Sequence, residues 1–469
     1  MPWQLKDKPI ALLRQAMHPY YWMAFLGYIF ILYFTVRSDF YQLMALFALL
    51  FGLYALIYRK VNTFASYQVA ILWAIAFRVA LLFTMPNLSD DLFRFYWDGL
   101  IMVHGISPFT YLPQEVIEQA LKIPGLTANL YESLNSPSYF TIYPPVNQFL
   151  FWLGAKIAGP DNIWTAMLVM KSGLLAFEVG SIYLIHQLVQ RFQLPFKLTL
   201  LYALNPLVIV ELVGNLHFEA AMIFFSLLAV YCLSSTTLTK DFTTSSISNK
   251  NFITSAIAMA LAVCSKLLPL IFLPFLIKRL GWLKGFLYGL IVALVSLMLF
   301  LPLFSPTIAI NLFSSIELYF QKFEFNASIY YIVRWIGFQI KGWNVIGLVS
   351  KWFVLGTFSS ILLLALFERN LSIKHWLQSM LFALFLYLSL ATIVHPWYIT
   401  TLVAFSVFTN YRFPILWSAL ILLSYYTYRT TAYEENLYLV AVEYLLVFAF
   451  LLYELALVKK SARSKKPTI

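Results

Sequence analysis

Ser89-Asp90-Asp91-Leu92-Phe93-Arg94-Phe95-Tyr96-Trp97-Asp98-Gly99 places three carboxylates and one guanidinium directly after an apolar run, Tyr67 to Met85, that is long enough to cross a bilayer. Ionisable groups at a membrane boundary are costly to keep dry, so such a cluster reads as a functional site. A carboxylate there is suited to general-base work, taking the proton of a hydroxyl as its oxygen attacks. With Ser89 as the cap of a helix, Asp90 and Asp91 fall in its first turn, where the macrodipole favours anions. Asp91, Arg94 and Asp98 then share one face. A plain helix start with a surface ion pair would look the same.

Further polar residues interrupt apolar sequence downstream. Tyr143-Pro144-Pro145 opens a helix near the same level. Asn205-Pro206 and Glu211 precede Asn215-Leu216-His217-Phe218-Glu219, which forms either a hydrogen-bonded network between helices or a polar wall for a hydrophilic substrate. His217 and Glu219 could also bind a metal ion, although two ligands are weak support for one. Cys264-Ser265-Lys266-Leu267-Leu268-Pro269 places an ammonium between two short apolar runs, just before a proline. That pattern suggests a broken helix pair facing an anionic phosphate, or a lysine that snorkels to the interface. Phe325-Asn326-Ala327-Ser328 contains a glycosylation sequon and leads into an amphipathic segment with Arg334 available to an anion. His395-Pro396-Trp397-Tyr398 is a polar turn between two apolar runs.

The elements that must position these groups are membrane helices. Of 469 residues, 61% are hydrophobic and 11% charged, against about 25% charged in soluble domains. The net charge of +12 follows from lysines and arginines at cytoplasmic helix ends, and no basic soluble module exists to hold a nucleic acid. The two cysteines, Cys232 and Cys264, lie in apolar runs and imply neither a disulfide nor a zinc framework. The stretch Met1 to Pro19 lacks the pattern of a cleaved signal peptide. The apolar runs predict one all-α, polytopic membrane domain over 1–469, with about 12–14 transmembrane helices, some of them half-helices.

Lys6, Lys8 and Arg14, then Arg59 and Lys60, Lys278, Arg279 and Lys284, Arg369 and Lys374, Arg412 and the basic tail 459–469 mark the cytoplasmic side. The Ser/Thr-rich segment 234–251 reads as a flexible cytoplasmic connector. Segment 86–142 then falls on the outer face as an amphipathic, helical first loop with six acidic and two basic residues. The 304–345 segment, the His395 turn and 429–435 fall on the same side. This parity holds only if 143–158 is a re-entrant or surface-lying helix. An acid/base group, cations and a polar aromatic wall therefore gather at one level, which fits transfer of a polar group from a lipid-phosphate carrier.

These residues resemble a known family. Asp90-Asp91 through Trp97-Asp98-Gly99, followed by Gly105-Ile106-Ser107-Pro108-Phe109, is similar to the first-loop signature of the GT-C glycosyltransferases. The likeness is to polyprenyl-phosphate-mannose-dependent mannosyltransferases, among them bacterial enzymes and the catalytic subunit of GPI mannosyltransferase I. Tyr143-Pro144-Pro145 matches the Tyr-x-Pro that follows in that group. Asn215-x-His217-x-Glu219, Lys266-x-x-Pro269, Asn326-x-Ser328-Ile329-Tyr330 and His395-Pro396-Trp397-Tyr398 resemble later patches of bacterial relatives. One departure stands out: registered on Asp98, Asp90 matches the first acid of the Asp-x-Asp pattern, and Leu92 stands where the second would be.

The resemblance implies an inverting transfer of a sugar, mannose by likeness, from a polyprenyl-phosphate carrier to a glycan or glycolipid acceptor. The site would lie on the non-cytoplasmic face of the plasma (inner) membrane. Asp90 or Asp91 would be the general base, with the choice open. Arg94, Lys266 and Arg334 would hold the leaving phosphate. Asp98, Tyr143, Asn215, His217, Glu219, His395 and Tyr398 would contact sugar or acceptor. No cofactor is implied with certainty, and a divalent metal fits the pattern as an option. A transporter or flippase of a lipid-linked sugar is the alternative. It would place its charges nearer the midplane and show an inverted repeat, which this chain lacks.

Overall fold

A computed structural model describes residues 16–119, 121–234 and 248–464. Lys6, Lys8 and Arg14, most of the 234–251 connector and the end of the 459–469 tail lie outside the described residues. The described chain is helical, and its β content is one isolated parallel bridge, Phe325 with Ile393. Among the described residues, seven helices are long and apolar enough to cross a bilayer: Phe40–Lys60, Phe64–Phe83, Ile163–Arg191, Trp282–Leu303, Ile346–Phe367, Ile373–Leu390 and Leu437–Lys460. The pair Phe196–Ala203 and Pro206–Gly214, bent by 49°, supplies an eighth if read as one span.

The difference from 12–14 has a physical reason. Helices wrapped by other helices need not match the hydrocarbon thickness, because their ends are covered by protein. Pro19–Phe34 and Glu219–Leu233 are apolar but short. Pro145–Ala158 has only 14 residues and packs between Asp91–Val103 and Ile163–Arg191.

The break at Asn205-Pro206 follows from local chemistry. Pro206 has no backbone N–H to continue the ladder. The Asn205 side chain caps the next helix by accepting from the Leu207 N–H at 3.0 Å, while its amide donates to Ser418 Oγ at 2.9 Å. The chain then winds into a π-helical turn, Ile209–Gly214, a wide form common at functional sites. That turn carries Glu211 and ends just before His217.

Two buried cations fix the first spans. Arg78 bonds Glu178 at 3.0 Å and the Ala203 carbonyl at 2.7 Å, and Tyr202 donates to the same Glu178. Lys171 donates to the carbonyls of Leu81 (2.9 Å) and Thr84 (2.6 Å), closing the orphan carbonyls where Phe64–Phe83 ends. The segment bearing Asp90 and Asp91 leaves from that capped end.

Segment 86–142 folds around the helix Asp91–Val103. One of its faces enters the main core, with Phe95 stacked on Phe151 at 4.4 Å. The opposite face buries Trp97 and Ile101 against Val116 and Leu134, a small core of the segment's own. Gly99 is required at the crossing, because a Cβ there would lie 2.3 Å from the Phe151 carbonyl oxygen. Helix Asp91–Val103 is thus gripped from two sides, and its N-terminus is held in place.

Candidate active site

The N-terminus of Asp91–Val103 opens into a cavity of about 330 Å³, within the range of small-molecule sites. Asp90 takes the N-cap position and Ser89 Oγ accepts from the Asp91 N–H at 3.3 Å, so the helix begins one residue later than a Ser89 cap predicts. The two neighbouring aspartates have different partners. Asp90 is bound by Arg37 at 2.6 Å. Asp91 accepts from Asn135 at 2.7 Å and from the Tyr143 hydroxyl at 3.3 Å. Its Oδ2 lies 4.0 Å from His217 Nε2. Among the described residues no lysine or arginine forms an ion pair with it.

The far wall comes from the later clusters. His217 and Glu219 follow the π turn, and Lys266 follows Asn249–Val263. The backbone N–H of Val146 bonds the Cys264 carbonyl at 3.0 Å, which ties the start of Pro145–Ala158 to the Lys266 turn. Lys266 pairs with Glu219 and lies 3.8 Å above the Tyr398 ring. The isolated β bridge brings Phe325 to the 392–395 segment and sets His395 beside it, rings 4.8 Å apart. Trp397 sits between two imidazoles, 3.8 Å from His217 and 4.4 Å from His395, nearly parallel to both.

The electrostatics of the two histidines oppose one another. Burial works against a charge on His217, but Glu211, Asp91 and Glu219 outweigh it and hold its pKa above the usual imidazole value. Burial, with Lys266 and His217 adding to it, pushes His395 down to about 3. Three of the lining residues carry buried polar atoms without a hydrogen-bond partner: His217 Nε2, His395 Nδ1 and Asn147 Oδ1.

Of the residues expected from sequence, Asp90, Asp91, Arg94, Tyr143, His217, Glu219, Lys266, His395 and Tyr398 line this one cavity. Three do not. Arg334 is drawn away by Glu324 and stacks over Tyr331 at 4.1 Å. Asp98 is buried behind the wall, where it accepts from Arg94 at 2.8 Å and Gln148 at 3.1 Å. Asn215 also sits behind it, between the Leu88 N–H and Glu211. Arg94 reaches the rim, where its Nε donates to Asp98 and its Nη1 to the Ser136 and Tyr139 carbonyls, so it braces the 135–141 segment. The Asn326 sequon is buried, its amide donating to Glu443 at 3.1 Å, so it is no glycan acceptor in the folded chain.

Sequence reasoning missed Arg37 and Tyr428. Arg37 lies in the short turn between Pro19–Phe34 and Phe40–Lys60 and stacks over Tyr428 at 4.3 Å. It stands alone in a short turn between two apolar helices, with no motif around it to mark it. Among the described residues no group of three or more His, Cys, Asp or Glu is placed to hold a metal ion.

Residues 24–281 match a protein family described as alpha-(1->6)-mannopyranosyltransferase, N-terminal domain. No curated protein matches the chain. The matched region contains Arg37, both aspartates, His217, Glu219 and Lys266.

Proposed function

Because the chain belongs to the alpha-(1->6)-mannopyranosyltransferase family, we propose that it moves mannose from a polyprenyl-phosphate carrier to a glycan or glycolipid acceptor, with Asp91 as general base. The chain is a membrane mannosyltransferase, a hexosyltransferase of the GT-C type. The observation that carries the finer reading is a division of labour in one cavity. Among the described residues Asp91 has no lysine or arginine partner, while Arg37 and Lys266 line the same space.

The chemistry runs as one displacement. The acceptor hydroxyl oxygen attacks the anomeric carbon as its proton passes to Asp91. The bond from that carbon to the phosphate oxygen breaks on the opposite face, and the electron pair leaves with the phosphate. Configuration inverts, so an α product requires a β-linked donor. The charge that builds on the leaving phosphate meets Lys266 and Arg37, cations already set in place before it develops. Both cations are already paired, with Glu219 and Asp90, and each is steadied by an aromatic face. The phosphate therefore shares cations that the fold has set in place.

An apolar groove of about 250 Å³ between the 270–274 turn and helices Ile346–Phe367 and Ile373–Leu390 suits the carrier's isoprenoid tail. A small void lined by Glu219, Lys266, Tyr398 and Tyr387 shares residues with both the groove and the polar cavity. A phosphate at Lys266 would thus have its tail directed into the hydrocarbon layer.

Non-cytoplasmic action is part of the proposal and rests on charge. Arg59 and Lys60 end the helix whose other end begins beside Arg37, so basic residues and the cavity occupy opposite ends of that span. The plasma membrane is the setting this orientation fits. The test is purified protein incubated with a panel of polyprenyl-phosphate sugars and acceptor lipids. Consumption of the mannosyl carrier alone, with gain of one hexose on the acceptor and loss of transfer in Asp91→Asn, is expected. Transfer from a nucleotide sugar without a lipid carrier would overturn the reading.

A further inference from the structure

We propose that His217, oriented by Glu211, is a second catalytic group, the final acceptor of the proton that Asp91 takes from the acceptor hydroxyl. This rests on the reading of Asp91 as base. His217 Nδ1 lies 3.2 Å from a Glu211 oxygen and 2.9 Å from the Glu211 carbonyl, which fixes its proton on Nδ1 when the ring is neutral. Nε2 is then a lone-pair acceptor. It is buried, has no partner, and lies 4.0 Å from Asp91 Oδ2. The two atoms would subtend roughly 90° at an oxygen placed about 2.8 Å from both, so a bridging hydroxyl or water would meet each at ordinary hydrogen-bond distance.

Glu211 is itself held rigidly. It accepts from the Tyr425 hydroxyl at 2.6 Å and from Asn215 at 3.2 Å, and it is fully buried. Trp397 covers one face of the ring at 3.8 Å. The ring is therefore locked in tautomer and direction, the role that the third member plays in carboxylate–histidine–nucleophile triads. Glu211 and Tyr425 are positioning residues, because neither lines the cavity.

The proton balance favours this route. A free carboxylate holds a proton only below about pH 4, while imidazole holds one near 6.5. Glu211, Asp91 and Glu219 raise His217 further against the opposing burial. His395 and Lys266, on the elements across the cavity, contribute positive or neutral groups. In the step, the acceptor O–H bond breaks and the bond to the anomeric carbon forms. The carbon–phosphate-oxygen bond breaks, and the proton moves by way of Asp91 to Nε2. The leaving phosphate monoester gains one negative charge and the imidazole one positive charge. His217 must be neutral at the start, so the rate rises with pH through its pKa.

The experiment is the pH profile of kcat/KM for the full-length protein in lipid nanodiscs, with polyprenyl-phosphate mannose. The wild type should show an acid limb at or above the ordinary imidazole value. His217→Gln should lose about 10²-fold or more, and its residual acid limb should fall into the range of an ordinary carboxyl group. Glu211→Gln, which removes the charge but keeps the backbone carbonyl on Nδ1 and one side-chain acceptor oxygen, should shift the limb downward with a smaller loss. It decides the question if His217→Gln fails to fold or is inactive. An unchanged acid limb in either active variant overturns the proposal. Full activity in Asp91→Asn, with the His217 effects intact, would instead overturn Asp91 as base.

Discussion

Arg37 reaches across 53 positions to Asp90 at 2.6 Å, and that one bond separates the roles of two adjacent aspartates. Asp90 holds a cation, and Asp91 is left to face the cavity with neutral hydrogen-bond donors. Asp91→Asn should lose at least about 10³-fold in kcat, the scale of general-base removal together with misplacement of the acceptor. Asp90→Asn should chiefly raise the donor KM several-fold, because the side chain is half-exposed and such pairs contribute little on their own. Arg37→Gln should raise that KM more, about tenfold or above. Steady-state kinetics with varied donor check all three. An inactive Asp90→Asn beside an active Asp91→Asn would assign the base to Asp90.

Lys266 is bound on one side by Glu219 and beneath by Tyr398, so its ammonium is aimed before any ligand arrives. Lys266→Met should lower kcat by about 10²–10³-fold, the range seen when one preorganised stabilising donor is removed. Lys266→Arg should recover some of the loss, since a guanidinium still offers charge to phosphate. Glu219→Gln should weaken the donor interaction less, because the cation remains. Single-turnover rates at saturating donor separate these effects from binding. Equal losses for Met and Arg would mean that Lys266 acts by shape and not by charge.

The sequence marked most of the site because polar residues stand out in an apolar chain. Asp90, Asp91, His217, Glu219, Lys266, His395 and Tyr398 come from distant segments and line one cavity. Sequence could not say which way each faces. Asp91, Arg94 and Asp98 share a helix face by spacing, yet the Arg94–Asp98 pair is turned into the wall while Asp91 opens outward. Arg334 looked available until Glu324 was folded beside it. Arg37 had no motif around it. The apolar runs outnumber the helices that are long enough to cross a bilayer alone, because short ones such as Pro19–Phe34 and Glu219–Leu233 are covered by neighbouring helices.

Arg94 and Asp98 make a structural prediction. Their side chains are at most 4% exposed and are bonded at 2.8 Å. Asp98→Asn leaves a buried guanidinium without its counter-charge, which should cost about 3–5 kcal/mol. Gly99→Ala should also destabilise, because its Cβ would press on the Phe151 carbonyl and push the two crossing helices away from each other. Thermal unfolding in detergent should show a lowered midpoint for both. The specific activity of the folded fraction should fall much less than in Asp91→Asn. An Asp98→Asn protein of native stability that is fully inactive would return Asp98 to the chemistry.

His395 sets the response of the fold to acid. Burial, Lys266 and His217 lower its pKa to about 3, against about 6.5 in an unfolded chain. Between those values the unfolded state binds a proton that the folded state refuses. Stability from this group is therefore full above about pH 6.5 and is lost as pH falls toward 3, at up to about 1.4 kcal/mol per pH unit. His217 has the opposite sign: raised by its acidic neighbours, it contributes stability below the unfolded value and loses it as pH rises through its folded pKa. His395→Gln should flatten the decline of the unfolding midpoint between about pH 6.5 and 4 relative to wild type. His217→Gln should leave that decline in place and remove a loss at higher pH. Parallel wild-type and His395→Gln curves across the acid window would show that His395 takes up its proton while folded, and the buried, cation-flanked setting derived for it would then be wrong.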